Sequence, residues 1–114
     1  MLPRRHRLPL RFFRHQLQKS RHSISTLDFT LYYSSRESLE SPSRLAIIIS
    51  KKLISSAVKR NLFRRQLQYH LHSLLPTIPT GHDFLILPKP SSLRLNFDQQ
   101  RESLEKLFSK VNID

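Results

Sequence analysis

Residues 44–65 read RLAIIISKKLISSAVKRNLFRR, and three kinds of local order follow one another in them. Leu45 to Ile49 is an unbroken apolar run of strand length, rich in β-branched residues, which suits a central strand buried on both faces. Lys51 and Lys52 interrupt it. From Ala57 onward the apolar residues recur at three- and four-residue intervals, the period of a helix. Ser55 or Ser56 is placed to cap the N-terminus of that helix. It is predicted to run to about Leu75, where Pro76 and Pro79 stop it and a loop continues to Gly81. A strand that turns into a helix through a lysine pair makes the chain a mixture of α and β.

The helix sorts its residues by face. At about 100° per residue, with Val58 at zero, Phe63, Leu67, Leu71 and Leu74 fall between about 140° and 220° and form a stripe for the core. Arg60, Arg64, Gln68, Asn61 and Arg65 sweep from about 200° to 340° beside it. Arg60 and Arg64 are four residues apart, as are Asn61 and Arg65, so each pair stacks along the helix. Like charges at that spacing cost helix stability, and an anion is needed to make the arrangement favourable. Guanidinium groups in a row present planar forks to successive phosphates. Asn61 adds a donor and an acceptor suited to a sugar hydroxyl or a base edge. Leu62, at about 40°, breaks the polar run and lies near Val58 and Tyr69.

The surrounding charge follows the same logic. The 114 residues carry 20 Lys and Arg against 8 Asp and Glu, a formal net charge of +12. Such an excess opposes a compact state and points to a polyanionic partner. It is concentrated in two acid-free stretches. Residues 1–22 hold Arg4, Arg5, Arg7, Arg11, Arg14, Lys19 and Arg21; residues 44–65 hold Arg44, Lys51, Lys52, Lys59, Arg60, Arg64 and Arg65. No carboxylate lies between Glu40 and Asp83, whereas residues 82–114 mix both signs evenly. A merely solvated face mixes signs, so the two stretches read as contact surface.

Outward from the helix, Met1 to Leu10, with two prolines and three arginines, reads as an extended basic arm. Residues 11–114 read as one domain. Arg11 to Lys19 is a candidate short helix with Phe13 and Leu17 on one face, and Ser20 to Thr26 reads as a polar turn. Phe29 to Tyr33 is a predicted strand with Phe29, Leu31 and Tyr33 on one face and Thr30 and Tyr32 on the other. Ser34 to Ser43 reads as a loop. Phe84 to Leu87 is a further strand, and Asn96 is placed to cap a last helix from Phe97 to about Val111. One sheet with helices packed on it buries all these apolar faces, so the fold class is α+β.

Several chemistries are excluded. Cysteine is absent, which removes thiol nucleophiles, disulfides and cysteine metal sites. His70 and His72 diverge on a helix, since a metal pair on one face needs a spacing of three or four. No nucleophile motif or phosphate-binding glycine loop occurs. The acid-free centre lacks the clustered carboxylates with which a protein nuclease holds metal. No run approaches the roughly 20 apolar residues of a membrane span.

Ser50-Lys51-Lys52, Ala57-Val58, Arg60-Asn61 and Arg64-Arg65 together resemble the signature of the protein component of bacterial ribonuclease P. Weaker matches continue along nearly the whole chain: the basic arm opening with Leu2-Pro3, Phe29 and Tyr32, Arg44 before the second strand, and Gly81, Asp83 and the strand to Lys89. The resemblance implies one small α/β domain of α-β-β-β-α-β-α order with a left-handed crossover. It implies no catalytic residue in the protein, and it assigns the protein no cofactor. The chemistry would belong to a catalytic RNA, bound about 1:1, which uses Mg2+ to cut the 5′ leader from precursor transfer RNA in the bacterial cytoplasm, with neither membrane nor small-molecule substrate involved. By position, Arg44, Lys51, Lys52, Arg60, Asn61, Arg64 and Arg65 are implied as contacts to the catalytic RNA, and Phe13, Phe29 and Tyr32 as the aromatic cleft for the leader. The chain departs from the pattern at Leu62 and Gln68, where basic residues are common, and at Leu17, where an aromatic is. A structural ribosomal or other RNA-packaging protein is the alternative from composition alone, and an Arg-rich organellar transit segment is the alternative for residues 1–22.

Overall fold

The computed structural model describes residues 2–9 and 22–111. Four strands, β1 (Ser23–Ser25), β2 (Phe29–Ser35), β3 (Arg44–Ile47) and β4 (His82–Pro88), form one sheet in the order β1-β2-β4-β3. The β1·β2 and β2·β4 pairings are antiparallel and β3·β4 is parallel. Helix α1 (Ala57–Leu74) joins β3 to β4, and α2 (Phe97–Ser109) closes the chain. This is the α+β sheet with packed helices expected from the periodicities. The helix expected over Arg11 to Lys19, with Phe13, lies outside the described residues.

Strand alternation decides the faces. Phe29, Leu31 and Tyr33 are buried on one side of β2, with Phe84 and Ile86 of β4 and Leu45 and Ile47 of β3 in register beside them. Phe63, Leu67, Leu71 and Leu74 of α1 and Leu104, Leu107 and Phe108 of α2 pack onto that face as the main core. Each such side chain contributes about 1.5–3 kcal/mol by leaving water. On the other face, Tyr32, Ala46, Ile48 and Leu87 surround the buried Leu8 and Leu85.

Element ends follow their local chemistry. Ser56 caps α1, its side chain accepting from the Lys59 amide. Asn96 and Gln99 form a reciprocal capping box on α2, each side chain accepting from the other's backbone N–H. Pro76 falls in a 3-10 turn, Leu75–Thr77, that ends α1.

Two expectations are corrected. Ser23–Ser25 is a strand rather than part of a turn; among the described residues it is a three-residue edge paired only with β2, and Ile24 alone gives it apolar character. Nor is the basic arm extended throughout. Arg4–His6 is a 3-10 turn, Arg7 bridges Leu45 in parallel, and the Leu8 amide donates to the Leu45 carbonyl at 3.0 Å. Leu2 enters the main core while Leu8 enters the opposite face, so the segment wraps the β3 edge. An open edge is a liability for association, and this wrap covers it.

Candidate nucleic-acid interface

The turn between β3 and α1 is held by Ser50, whose carbonyl and hydroxyl accept from the Leu53 amide and whose carbonyl also accepts from Ile54. That leaves Lys51 and Lys52 exposed at the turn. On α1, Arg60 reaches back and donates through Nη1 to the Ile54 and Ser55 carbonyls, both at 2.9 Å. These bonds fix its guanidinium at the junction of turn and helix. Arg64 donates through Nη1 to Asn61 Oδ1 at 2.7 Å. The amide oxygen therefore holds the guanidinium in place, and Asn61 itself is exposed. Arg65 and Lys59 are exposed. Among the described residues no carboxylate lies within ion-pair distance of Lys51, Lys52, Lys59, Arg60, Arg64 or Arg65. The repulsion along this flank is thus not relieved by any carboxylate of the described residues.

A groove of about 230 Å³ runs beside the flank, lined by Arg7 and Leu8 of the N-terminal segment, by Leu45 and Ala46, and by Arg64 and Gln68. It brings the two acid-free stretches of the sequence together in space and leads toward the sheet face that carries Tyr32. Tyr32 is half-buried there against Leu85, its register partner.

Arg44 stands apart from the helix flank. Its Nε and Nη2 each donate to Asp83 at 2.8 Å, a bidentate pair across the β3·β4 register. The hydrogen bonds to Asp83 raise Arg44 further above the ordinary guanidinium pKa. Arg36 approaches the same carboxylate at 4.0 Å, and the three line a polar hollow of about 430 Å³ with Ser34, Ser35 and Ser38. A sequence reading grouped Arg44 with the helix arginines; the partner that separates it lies 39 residues away.

Phe29 is corrected as a cleft residue. It is fully buried on the helix-covered face, with no ring surface open to a base. Alternation along β2 puts it with Leu31 and Tyr33, and Tyr32 points the other way. Phe13 lies outside the described residues. Sequence reasoning also passed over an exposed aromatic contact: Tyr69 of α1 and Phe97 of α2 stand 5.6 Å apart between ring centroids. The signal was present in Tyr69, which falls outside the core stripe of α1. Among the described residues no cluster of three or more His, Asp or Glu is arranged to hold a metal ion, and no helix is long and apolar enough to cross a membrane.

Comparison with known proteins agrees with these features. The family model Ribonuclease P matches residues 2–112. A ribonuclease P protein component from Synechococcus elongatus is 36% identical over 115 residues, covering 98% of this chain and 94% of the relative. One from Microcystis aeruginosa is 38% identical over 72 residues, 63% of this chain and 60% of the relative; in that alignment the chain spans less than two thirds of its relative's length. Among solved structures, the RNase P protein from Thermotoga maritima superposes with a TM-score of 0.84 at 25% identity, covering 96% of this chain and 100% of the other. The protein from Staphylococcus aureus gives 0.79 at 23% identity, over 91% and 93% of the two chains.

Proposed function

Because the chain belongs to the ribonuclease P protein family, we propose that it serves as the protein subunit of ribonuclease P in 5′ maturation of transfer RNA. The observation that carries this is the flank of α1, where Arg60, Asn61, Arg64 and Arg65 stand together with no carboxylate among the described residues within ion-pair distance. In this reading the flank, with Lys51 and Lys52, holds phosphates of a catalytic RNA bound about 1:1. Bidentate guanidinium forks suit that task. The Arg64–Asn61 hydrogen bond orders one fork before RNA arrives, which lowers the entropy lost on binding. The phosphodiester chemistry belongs to the RNA and its Mg2+ ions; the protein supplies no catalytic group. The 5′ leader of the precursor lies across the Tyr32 face, where an aromatic ring accepts any base. The reaction takes place in the bacterial cytoplasm.

The test is cleavage of a precursor transfer RNA by a cyanobacterial ribonuclease P RNA at low Mg2+, with and without the protein. A gain in cleavage is expected, and no gain refutes the assignment; a structural RNA-packaging protein would give none. In the same system, Arg64→Ala with Arg65→Ala should weaken RNA binding and make the salt dependence shallower by about 0.7–0.9 per lost phosphate contact. An unchanged slope would remove the helix flank from the interface. Tyr32→Ala should weaken binding of precursors with leaders more than binding of mature transfer RNA; equal loss would assign Tyr32 to packing alone.

A further inference from the structure

Beside the arginine flank, α1 exposes apolar side chains that the fold does not use. Val58, Leu62 and Tyr69 lie within about 40° of one another on the helix wheel, and Leu62 and Tyr69 are 56% and 60% exposed. Single exposed apolar residues are ordinary. Here, however, Tyr69 meets Phe97, itself 47% exposed, and the stripe continues onto the second helix. Phe97 is set firmly. Its ring lies 4.2 Å from the buried His70, measured between centroids, and its backbone begins α2 inside the Asn96–Gln99 capping box. The two rings therefore form a shelf that is ordered before any partner arrives.

The neighbours of the shelf indicate its occupant. Arg65 is three residues after Leu62 and four before Tyr69, so its guanidinium stands along the edge of the stripe. No acidic residue occurs anywhere on α1, and Asp98, next to Phe97, marks where the acid-free surface ends. The complementary partner is anionic along one edge and flat and aromatic along the other. An unpaired stretch of RNA has that form: phosphates in a row with bases turned to one side. A second copy of this chain does not, since it would bring another net charge of +12 and the same arginines to the contact.

We propose that Leu62, Tyr69 and Phe97 form a stacking shelf for unpaired nucleobases of the same RNA whose phosphates the arginine flank holds. The proposal rests on the RNA-binding reading above. It also gives Leu62 a purpose: at this point of the helix an apolar contact to a base replaces one more phosphate contact.

The experiment measures binding of a ribonuclease P RNA transcript to Tyr69→Ala and Tyr69→Phe across a salt series, with backbone mobility of the RNA mapped by 2′-hydroxyl acylation. Tyr69 is exposed, and both variants are expected to melt with the parent. Tyr69→Ala should weaken binding by about 5- to 100-fold, the range for loss of a base-stacking ring, with the salt slope unchanged. Tyr69→Phe should bind like the parent. Unpaired nucleotides quieted by the parent should regain mobility with Tyr69→Ala. Parental affinity and mobility pattern in Tyr69→Ala would overturn the shelf, as would a shallower salt slope, which would mean that Tyr69 acts through Arg65. Sedimentation showing a parental dimer that Tyr69→Ala dissolves would assign the stripe to self-association instead. Failure of the Arg64→Ala with Arg65→Ala variant to weaken binding would sink the RNA reading itself, whereas a neutral Tyr69→Ala beside a weakened arginine variant sinks only the shelf.

Discussion

Gly81, the one glycine in the chain, shows how a single residue ties together segments far apart in sequence. Its φ of +76° lies in the left-handed region, and a Cβ there would stand 2.4 Å from the Leu39 Cα. Its amide donates to the Ser41 carbonyl and its own carbonyl accepts from the Arg36 amide, each at 2.7 Å. The loop after β2 is thereby fastened to the start of β4, two residues before Asp83. Gly81→Ala should lose about 1–2 kcal/mol from the backbone conformation alone, with the Leu39 clash added. A lower midpoint in urea unfolding would show it, and an unchanged midpoint would mean that the loop can retreat freely. A loop ending at Gly81 is legible from Pro76, Pro79 and the glycine itself. Its contact with Leu39 is not, because nothing local encodes which distant segment approaches. The same limit separates Arg44 from the helix arginines: each looks alike as a basic residue, and only the Arg44↔Asp83 register distinguishes it.

At the scale of elements, α1 and α2 are joined by a polar seam within an otherwise apolar packing. His70 Nε2 donates to Gln100 Oε1 at 3.2 Å, and Gln100 Nε2 donates to Gln66 Oε1 at 3.1 Å. His70 Nδ1 is buried with no partner. Burial lowers the His70 pKa, the Gln100 hydrogen bond opposes that, Arg101 lowers it further and Asp98 opposes. Protonation would place an unpartnered N–H and a charge between the helices. The folded state resists that proton while the unfolded chain accepts it from about pH 6.5 downward. Stability from His70 is therefore complete above the unfolded pKa and is lost as the pH falls through the lowered folded value, at no more than about 1.4 kcal/mol per pH unit. Urea unfolding followed from neutral pH to about pH 5 should show this loss in the parent and a smaller one in His70→Phe; equal losses would place the titration elsewhere. Both helices were legible in the sequence, since Ser56, Asn96 and the prolines mark their ends and strong apolar stripes mark their inner faces. Strand β1 was not, because an edge strand of three residues with one apolar side chain has too few positions to show a period.

For the molecule as a whole, the two acid-free stretches were legible as charge but not as packing. Arginines dominate the first of them, yet Leu2 and Leu8 anchor it on opposite faces of the sheet. Leu2→Ala with Leu8→Ala should cost roughly 2–5 kcal/mol per fully buried leucine. Arg4→Ala with Arg5→Ala, both exposed, should stay within about 0.5 kcal/mol for each surface change. Urea midpoints separate the two outcomes, and equal small shifts would show that the segment is held only loosely. The order β1-β2-β4-β3 has a consequence for synthesis. β2 and β3 are made first but meet only through β4, which lies between them. A nascent chain therefore cannot close its sheet until His82–Pro88 has left the ribosome, and by then the arginine helix is already outside with no core to rest on. Non-local pairing of this kind folds late. Until β4 is in place, the apolar stripe of α1, Phe63, Leu67, Leu71 and Leu74, has no completed sheet to cover it.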